Sequence, residues 1–208
     1  MSSTPKLDRF YPIWDHSGWF RRLIPLGVKL VQLRAKGLAE EPLREEIRMS
    51  RDVCAAAGCQ LIVNDHWQMA IEEGCDYIHL GQEDLDTADL PAIRRAGIRI
   101  GMSTHDHKEL DRALSLSPDY VALGPIYPTK LKQMKWHSQG LEKLAEWRRL
   151  VGDLPLVAIG GFTVDRAAGA FAAGADIVSV VTDITLNSDP DGRTSQWIAA
   201  TRQTETTE

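Results

Sequence analysis

Short apolar runs recur along the chain and alternate with longer stretches in which apolar residues have helical spacing. The apolar runs are rich in Val, Ile, Leu and Tyr, as is typical of buried strands. The longer stretches, such as residues 42–57 and 164–173, carry Ala, Leu, Glu and Arg and predict helices. Strands alternating with helices favour a parallel sheet. The predicted strands are residues 10–14, 28–33, 60–63, 77–80, 98–102, 120–123, 156–159 and 177–181.

Glycines mark the boundaries between the helical stretches and the strands that follow, where a left-handed residue ends a helix. They are Gly27, Gly58, Gly74, Gly97 and Gly174. Periodicity alone leaves two architectures open, a closed barrel and an open doubly wound sheet. The eight repeats favour the barrel, and 208 residues leave room only for short connections. We therefore predict an α/β fold, a single-domain (β/α)8 TIM barrel spanning residues 1–208, with flexible ends at residues 1–8 and 204–208.

Composition and charge exclude several classes of function. The net charge of −5 and the pI near 5.7 argue against a nucleic-acid partner, which needs a basic face. No apolar run approaches the roughly 20 residues of a membrane span, and the polar amino terminus makes a cytoplasmic location the default. Cys54, Cys59 and Cys75 form no CxxC pair, so we predict small buried side chains. A homo-oligomer stays possible.

Polar residues gather where the predicted strands end, and in a parallel barrel these ends form one mouth. Gln32, Arg34 and Lys36 alternate at the end of the second strand and would project from the same face. The two cations predict an anion site suited to a phosphate or diphosphate. The alternative is a solvated surface pair beside Glu40 and Glu41.

Two aspartates follow neighbouring strands and predict a metal site. Asp65 and Asp84 end the third and fourth strands, so their carboxylates would face one another at the mouth. Mg2+ is commonly held by one or two carboxylates together with substrate phosphates and water. The alternative for Asp65 is a turn or a helix cap.

The remaining strand ends predict a second anion site and a functional loop. Gly160-Gly161 and Val181-Thr182 close the seventh and eighth strands, the usual place for a phosphate bound by backbone N–H groups. Residues 124–139 form a long irregular segment that contains Lys130, Lys132 and Lys135 and could close over the site. We expect His79 to be a hydrogen-bonded interior residue rather than a base, while His105 at the rim could orient a substrate.

Seven segments spread over nearly the whole chain carry recognisable motifs: residues 31–36 (VQLRAK), 61–65 (LIVND), 78–84 (IHLGQED), 100–105 (IGMSTH), 124–129 (GPIYPT), 158–161 (AIGG) and 180–182 (VVT). Together they resemble the motifs of the thiamine phosphate synthase family. The resemblance implies a TIM-barrel transferase of thiamine biosynthesis that uses Mg2+ to couple a pyrimidine diphosphate to a thiazole phosphate through a pyrimidine-stabilised cation.

The resemblance also assigns residues. It implies that the aminopyrimidine diphosphate is held by Gln32, Arg34, Lys36, Asn64 and Lys132. It places Mg2+ on Asp65 and Asp84 and the pyrimidine beside Ser103. It implies that the thiazole phosphate is bound by Thr129, Gly161, Val181 and Thr182. The catalytic group would be Arg34, Lys36, Ser103 and Lys132.

Two positions depart from the family pattern. Leu131 stands where the family usually has a second Thr, and Asp183 adds a negative charge beside a predicted phosphate site. Two alternatives remain: a thiazole tautomerase-like relative, which would not need the diphosphate and metal residues, and a noncatalytic phosphate-binding barrel.

Overall fold

The computed structural model describes residues 6–129 and 137–202. Eight parallel strands close into a barrel in the order β1 to β8, which confirms the predicted TIM-barrel fold. Each strand pairs with its neighbours in sequence, and β1 pairs with β8 to complete the cylinder. The strands are β1 Phe10–Trp14, β2 Leu30–Leu33, β3 Gln60–Asn64, β4 Tyr77–Leu80, β5 Arg99–Thr104, β6 Tyr120–Leu123, β7 Leu156–Ile159 and β8 Ile177–Val180.

Helices cover the outside of the barrel. Short 3-10 helices, Ile24–Leu26, Asp84–Asp86 and Val164–Arg166, lie between them. The stretch predicted as one helix at residues 164–173 is thus divided into the 3-10 turn Val164–Arg166 and the helix Ala167–Ala172. The helices are α1 Ser17–Leu23, α2 Glu40–Ala57, α3 Trp67–Glu72, α4 Leu90–Arg95, α5 His107–Ser115, α6 Gly140–Val151, α7 Ala167–Ala172, α8 Thr182–Thr185 and α9 Pro190–Arg202.

The glycines predicted to end helical stretches all have positive φ, which confirms their role. Gly58 shows the geometry: with φ 58° it ends α2, and its N–H donates to the carbonyl of Ala55. The second strand begins two residues later than predicted, at Leu30. Lys29 nevertheless still accepts a hydrogen bond from the backbone N–H of Gln60.

The inside of the barrel changes from apolar to polar along the strands. Because side chains alternate between the two faces of a strand, every second residue points inward. An apolar and aromatic cluster fills the interior, formed by Tyr11, Leu30, Ile62, Tyr77, Tyr120, Ala122, Val157 and Ile177. Two residues further toward the carboxyl ends, several strands carry a polar residue instead: Gln32, Asn64, His79 and Ser179. The interior is therefore closed by packing below and polar at the mouth.

Outward-facing residues of the strands pack against the helices in a larger apolar cluster that includes Trp14, Phe20, Trp147 and Trp197. The three cysteines are buried and unpaired, as predicted. No helix within residues 6–129 and 137–202 has both the length and the apolar character needed to cross a bilayer. The prediction of flexible ends concerns residues 1–5 and 204–208, which lie outside the described residues, and residues 6–8, where Leu7 packs against the barrel interior.

Candidate active site

The carboxyl ends of the parallel strands meet at one mouth, and the predicted site residues are distributed around it. Arg34 and Lys36 follow β2, and Asp65 follows β3 directly. Asp84 lies four residues beyond β4, in a 3-10 turn rather than at the strand end as predicted. The other described members are Gln32 in β2, Asn64 in β3, Ser103 in β5, Thr129 after β6, Gly161 after β7, and Val181 and Thr182 after β8. Lys130, Leu131, Lys132 and Lys135 lie outside the described residues.

The two aspartates form an acidic pair next to a cation. The Nζ of Lys36 lies 3.3 Å from Oδ2 of Asp65, and Asp84 accepts a 2.9 Å hydrogen bond from the backbone N–H of Gly81. Burial, and then the charge of Asp65 and a hydrogen bond with it, raise the pKa of Asp84, whereas the Gly81 N–H and Lys36 oppose the rise. The two carboxylates therefore lie close enough for the charge of Asp65 to raise the pKa of Asp84.

The capping alternative for Asp65 is wrong. Helix α3 begins after His66, and no side chain caps it. Asp65 instead has φ 65°, a left-handed conformation that Asp tolerates better than most residues. This conformation accompanies the contact of its carboxylate with Lys36 at the mouth.

The charges of Arg34 and Asp84 both act on His79, which places them in one region. Burial lowers the pKa of His79 to about 4; Asp84 opposes this shift, while Arg34 and His105 add to it. His105 is itself held at the rim by Glu109, whose Oε2 lies 2.7 Å from its Nδ1. The mouth thus combines cations and carboxylates above a neutral buried imidazole.

A chain of buried hydrogen bonds crosses the barrel below this mouth. The Nε2 of Gln32 donates to the Tyr11 hydroxyl over 2.7 Å, and the hydroxyls of Tyr11 and Tyr120 lie 3.0 Å apart. Tyr120 Oη is 2.7 Å from His79 Nδ1, and His79 Nε2 is 2.7 Å from Ser103 Oγ. The expectation that His79 is a hydrogen-bonded interior residue is confirmed. We refer to these five side chains as the interior chain.

Sequence reasoning missed Tyr11, Tyr120 and Gly101. Tyr120 lies across the barrel because Gly101 on the neighbouring strand has no side chain: a Cβ there would be 2.0 Å from Tyr120 Cζ. The Tyr120 ring also stacks on His79, with the planes 18° apart. Period-two alternation could have identified all three as inward-facing, although not as partners.

The predicted second anion site is a close contact between two loops. Gly160 and Gly161 have φ 100° and 70°, and the N–H of Tyr127 donates to the carbonyl of Gly160. A Cβ at Gly161 would lie 2.6 Å from the carbonyl oxygen of Pro128. Arg166 donates to the Gly161 carbonyl and stacks on the Tyr127 ring. The segment that leads to Thr129 therefore packs directly against the turn at Gly160 and Gly161, which we call the glycine turn.

The carboxylate of Asp183, which departs from the family pattern, contacts residues of another helix. Its Oδ2 accepts a 2.8 Å hydrogen bond from the indole N–H of Trp197 in α9, and Arg193 lies 3.8 Å away. The carboxylate therefore serves the packing of α8 on α9. This contact explains why an acid is tolerated beside a predicted phosphate site.

A cavity of about 610 Å³ lies at the opposite end of the barrel. It is bordered by Cys54, Cys59 and Cys75 together with Lys29 and Arg51. Burial raises the pKa of Cys75 to about 11, so this thiol stays protonated and unreactive near neutral pH. We place the functional site at the carboxyl mouth, where the convergent polar side chains lie.

Comparison with known proteins identifies the family. A family model described as thiamine monophosphate synthase matches residues 13–184. The chain belongs to the thiamine monophosphate synthase family. A thiamine-phosphate synthase of Rhizobium etli is 63% identical over 94% of this chain and 96% of its own length. One from Neisseria meningitidis serogroup A is 44% identical, over 88% and 89%.

The family assignment extends to fold and enzyme class. A solved thiamine phosphate pyrophosphorylase from Pyrococcus furiosus superposes with a TM-score of 0.83 at 22% identity, and the match covers 94% of this chain and 96% of that one. At that identity the likeness concerns the fold alone. Membership of the thiamine monophosphate synthase family makes the chain an enzyme of the transferase class.

Proposed function

We propose that the chain is a thiamine-phosphate synthase. It couples 4-amino-2-methyl-5-(diphosphooxymethyl)pyrimidine to 4-methyl-5-(2-phosphooxyethyl)thiazole and releases diphosphate. The observation that carries the proposal is the mouth itself, where a cation and carboxylate group formed by Arg34, Lys36, Asp65 and Asp84 shares one opening with the glycine turn at Gly161. Two anionic substrates would thus have two separate places to bind.

Asp65 and Asp84 fit a divalent cation. The charge of Asp65 raises the pKa of Asp84, so a positive ion placed between the two carboxylates would stabilise the ionised form of Asp84. The described part of the chain contains no group of three or more His, Cys, Asp and Glu side chains arranged to hold a metal. A pair of carboxylates completed by phosphate oxygens and water is the usual way in which proteins hold Mg2+. When bound, Mg2+ would neutralise part of the diphosphate charge.

The side chains of the mouth would promote departure of the diphosphate. The bond between the pyrimidine methylene carbon and the diphosphate oxygen breaks, and the oxygen keeps the electron pair. Arg34 and Lys36, together with Lys132, would bind the charge that develops on the diphosphate. The thiazole nitrogen then donates its lone pair to the methylene cation. No general base is required, because the nitrogen that attacks carries no proton.

The remaining residues would bind and orient. Gln32, Asn64 and Ser103 line the polar end of the barrel interior, where the pyrimidine ring would lie above the interior chain. Gly161, Thr129, Val181 and Thr182 would bind the thiazole phosphate, mainly through backbone N–H groups and hydroxyls. Holding the acceptor nitrogen close to the methylene carbon would favour its capture over attack by water. The segment 124–139 is our candidate for a lid, and residues 130–136 of it lie outside the described residues.

Product formation with both substrates tests the proposal. We expect thiamine phosphate and diphosphate in equal amounts, with a dependence on Mg2+. A thiazole tautomerase would release no diphosphate, and a binding barrel would saturate without turnover. Either result would overturn the proposal. Asp84→Asn tests the metal site, and Asp86→Asn is the matched control, because Asp86 lies in the same 3-10 turn but is exposed and paired with Arg112.

The two variants should differ sharply. Asp84→Asn should lower kcat/KM by about 100-fold or more and raise the Mg2+ concentration needed for half-maximal rate. Asp86→Asn should change neither. Equal behaviour of the two variants across a Mg2+ titration would remove Asp84 from the metal site while leaving the synthase activity in place.

A further inference from the structure

In the interior chain, Tyr11, Tyr120 and His79 each have one hydrogen that they can donate. Burial raises the pKa of Tyr11 and Tyr120, so both phenols keep their hydrogen, and burial lowers the pKa of His79 to about 4, so its ring carries a single N–H near neutral pH. A row of groups with one hydrogen each can be ordered in only two ways, with every donor pointing toward Ser103 or every donor pointing away from it.

The amide of Gln32 decides between these two orders. Its Nε2 can only donate, and it lies 2.7 Å from the Tyr11 hydroxyl. Tyr11 must then direct its own hydrogen to Tyr120, and Tyr120 must direct its hydrogen to Nδ1 of His79. The single hydrogen of the imidazole is left on Nε2, where it is donated to Ser103 Oγ.

The two ends of the interior chain consequently present opposite groups to the mouth. Ser103 accepts from His79, so its own hydroxyl hydrogen remains for a ligand. Within the described residues, the Gln32 side chain makes no hydrogen bond besides the one to Tyr11, so its carbonyl oxygen remains as an acceptor. The mouth thus offers a donor at Ser103 and an acceptor at Gln32.

We propose that the interior chain runs as one ordered series of hydrogen bonds from Gln32 to Ser103, and that this order selects a 4-aminopyrimidine over its 4-oxo counterpart. A 4-aminopyrimidine carries ring-nitrogen acceptors and an N–H2 donor, which suit the donor at Ser103 and the acceptor at Gln32. The 4-oxo ring carries a carbonyl acceptor in place of that N–H2 donor. Tyr11, Tyr120 and His79 are positioning residues, since they act through the two ends. The selection rests on the proposed function; the hydrogen-bond order does not.

The tautomer of His79 measures the order without any substrate. We expect two-bond ¹H–¹⁵N spectra of the labelled chain to show His79 with its hydrogen on Nε2, and comparison with His79→Gln identifies the signal among the six histidines. A hydrogen on Nδ1 in the unmodified chain would overturn the proposal. The tautomer itself is read from the unmodified chain, and His79→Gln serves only to assign the signal.

Reversing the end of the interior chain should reverse its order. In Gln32→Glu the carboxylate can only accept, so Tyr11 should donate to it and the hydrogen of His79 should move to Nδ1. Adding Tyr11→Phe cuts the connection, because Tyr120 then has only His79 as a partner and should donate to its Nδ1. The double variant should therefore return His79 to the Nε2–H tautomer. An unchanged tautomer in Gln32→Glu would show that Gln32 does not set the order.

Ligand binding tests the selection separately. We expect 4-amino-5-hydroxymethyl-2-methylpyrimidine to bind at least about 100-fold more tightly than its 4-oxo counterpart, because the wrong edge leaves buried polar groups unpaired. Gln32→Glu should reduce this ratio. Equal binding of the two rings to the unmodified chain would overturn the selection. Binding of neither ring, with the expected tautomers, would count against the proposed function and leave the hydrogen-bond order supported.

Discussion

Adding a methyl group at Gly101 should destabilise the barrel much more than adding one at Gly169. A Cβ at this position would lie 2.0, 2.2 and 2.5 Å from Cζ, Cε1 and Cε2 of Tyr120. These distances are far inside van der Waals contact, so the ring must move. Tyr120 is fully buried and lies between His79, Tyr11 and Tyr77, which leaves it little room.

The expected cost of Gly101→Ala follows from what the displaced ring gives up. Its hydroxyl would lose contacts with His79 and Tyr11, at about 1 kcal/mol each. Overpacking a closed interior costs a further 1–3 kcal/mol or so. We therefore expect the free energy of unfolding to fall by roughly 3–5 kcal/mol, a large part of the 5–15 kcal/mol typical of a domain.

Urea unfolding followed by circular dichroism, in two backgrounds, tests this prediction. In Tyr120→Leu the ring is absent, so adding Gly101→Ala should cost less than about 1 kcal/mol. Gly169→Ala is the control, because its Cβ would meet only the end of the Leu141 side chain at 3.2 Å and the Tyr127 hydroxyl at 4.0 Å. Equal costs of Gly101→Ala with and without the Tyr120 ring would refute the steric explanation.

Three further predictions concern other parts of the molecule. Gly161→Ala should raise KM for the thiazole phosphate about 10- to 100-fold and leave the Mg2+ requirement unchanged, because φ 70° and the 2.6 Å approach to Pro128 leave no room for a Cβ. Steady-state kinetics with each substrate varied in turn would measure this change in KM. A selective loss of the response to Mg2+ would contradict the prediction. Asp183→Ala should lower the free energy of unfolding by about 1–3 kcal/mol, because it leaves the buried Trp197 N–H unpaired. Asp183→Asn can still accept this hydrogen bond and should lower it by less than about 1 kcal/mol in urea unfolding. Similar losses in both variants would argue against the hydrogen bond. Folding lowers the pKa of His79 from 6.5 to about 4, so as pH falls the unfolded chain takes up the His79 proton before the folded chain does. The contribution of neutral His79 to the free energy of unfolding is therefore complete above pH 6.5 and should decline by about 2–3 kcal/mol toward pH 4. Unfolding midpoints between pH 7.5 and 4.5 should therefore fall more steeply in the unmodified chain than in His79→Gln, and parallel slopes would disprove it.

Much of the fold could be predicted from local patterns. The strands at residues 10–14, 77–80, 120–123 and 156–159 were predicted with the bounds that the structure has, because short β-branched runs between turn residues are a local signal. The glycines at helix ends were predicted for the same reason. Boundaries moved where turn geometry was decisive, as at residues 164–173, which are divided into a 3-10 turn and a helix.

The composition of the mouth was also accessible from the sequence, since parallel strands bring their carboxyl ends together whatever their separation along the chain. The exact placement of its members was not. Asp84 lies in a turn beyond β4, and its interaction with Asp65 depends on how that turn folds back. The sequence did not explain the charge of Asp183, whose partner in the structure is Trp197 in α9.

The sequence by itself therefore determined the repeating strand–helix unit and the end of the sheet at which polar residues collect, because these follow from periodicity and from a general property of parallel sheets. Periodicity did not distinguish a closed barrel from an open sheet, and the count of eight units favoured the barrel. Only the tertiary structure decided which interior side chains touch. Tyr11 and Tyr120 are 109 positions apart, and their hydroxyls meet because the barrel closes and Gly101 leaves space for a ring. Contacts across a closed interior depend on the shapes of several strands at once, and no local pattern contains that information.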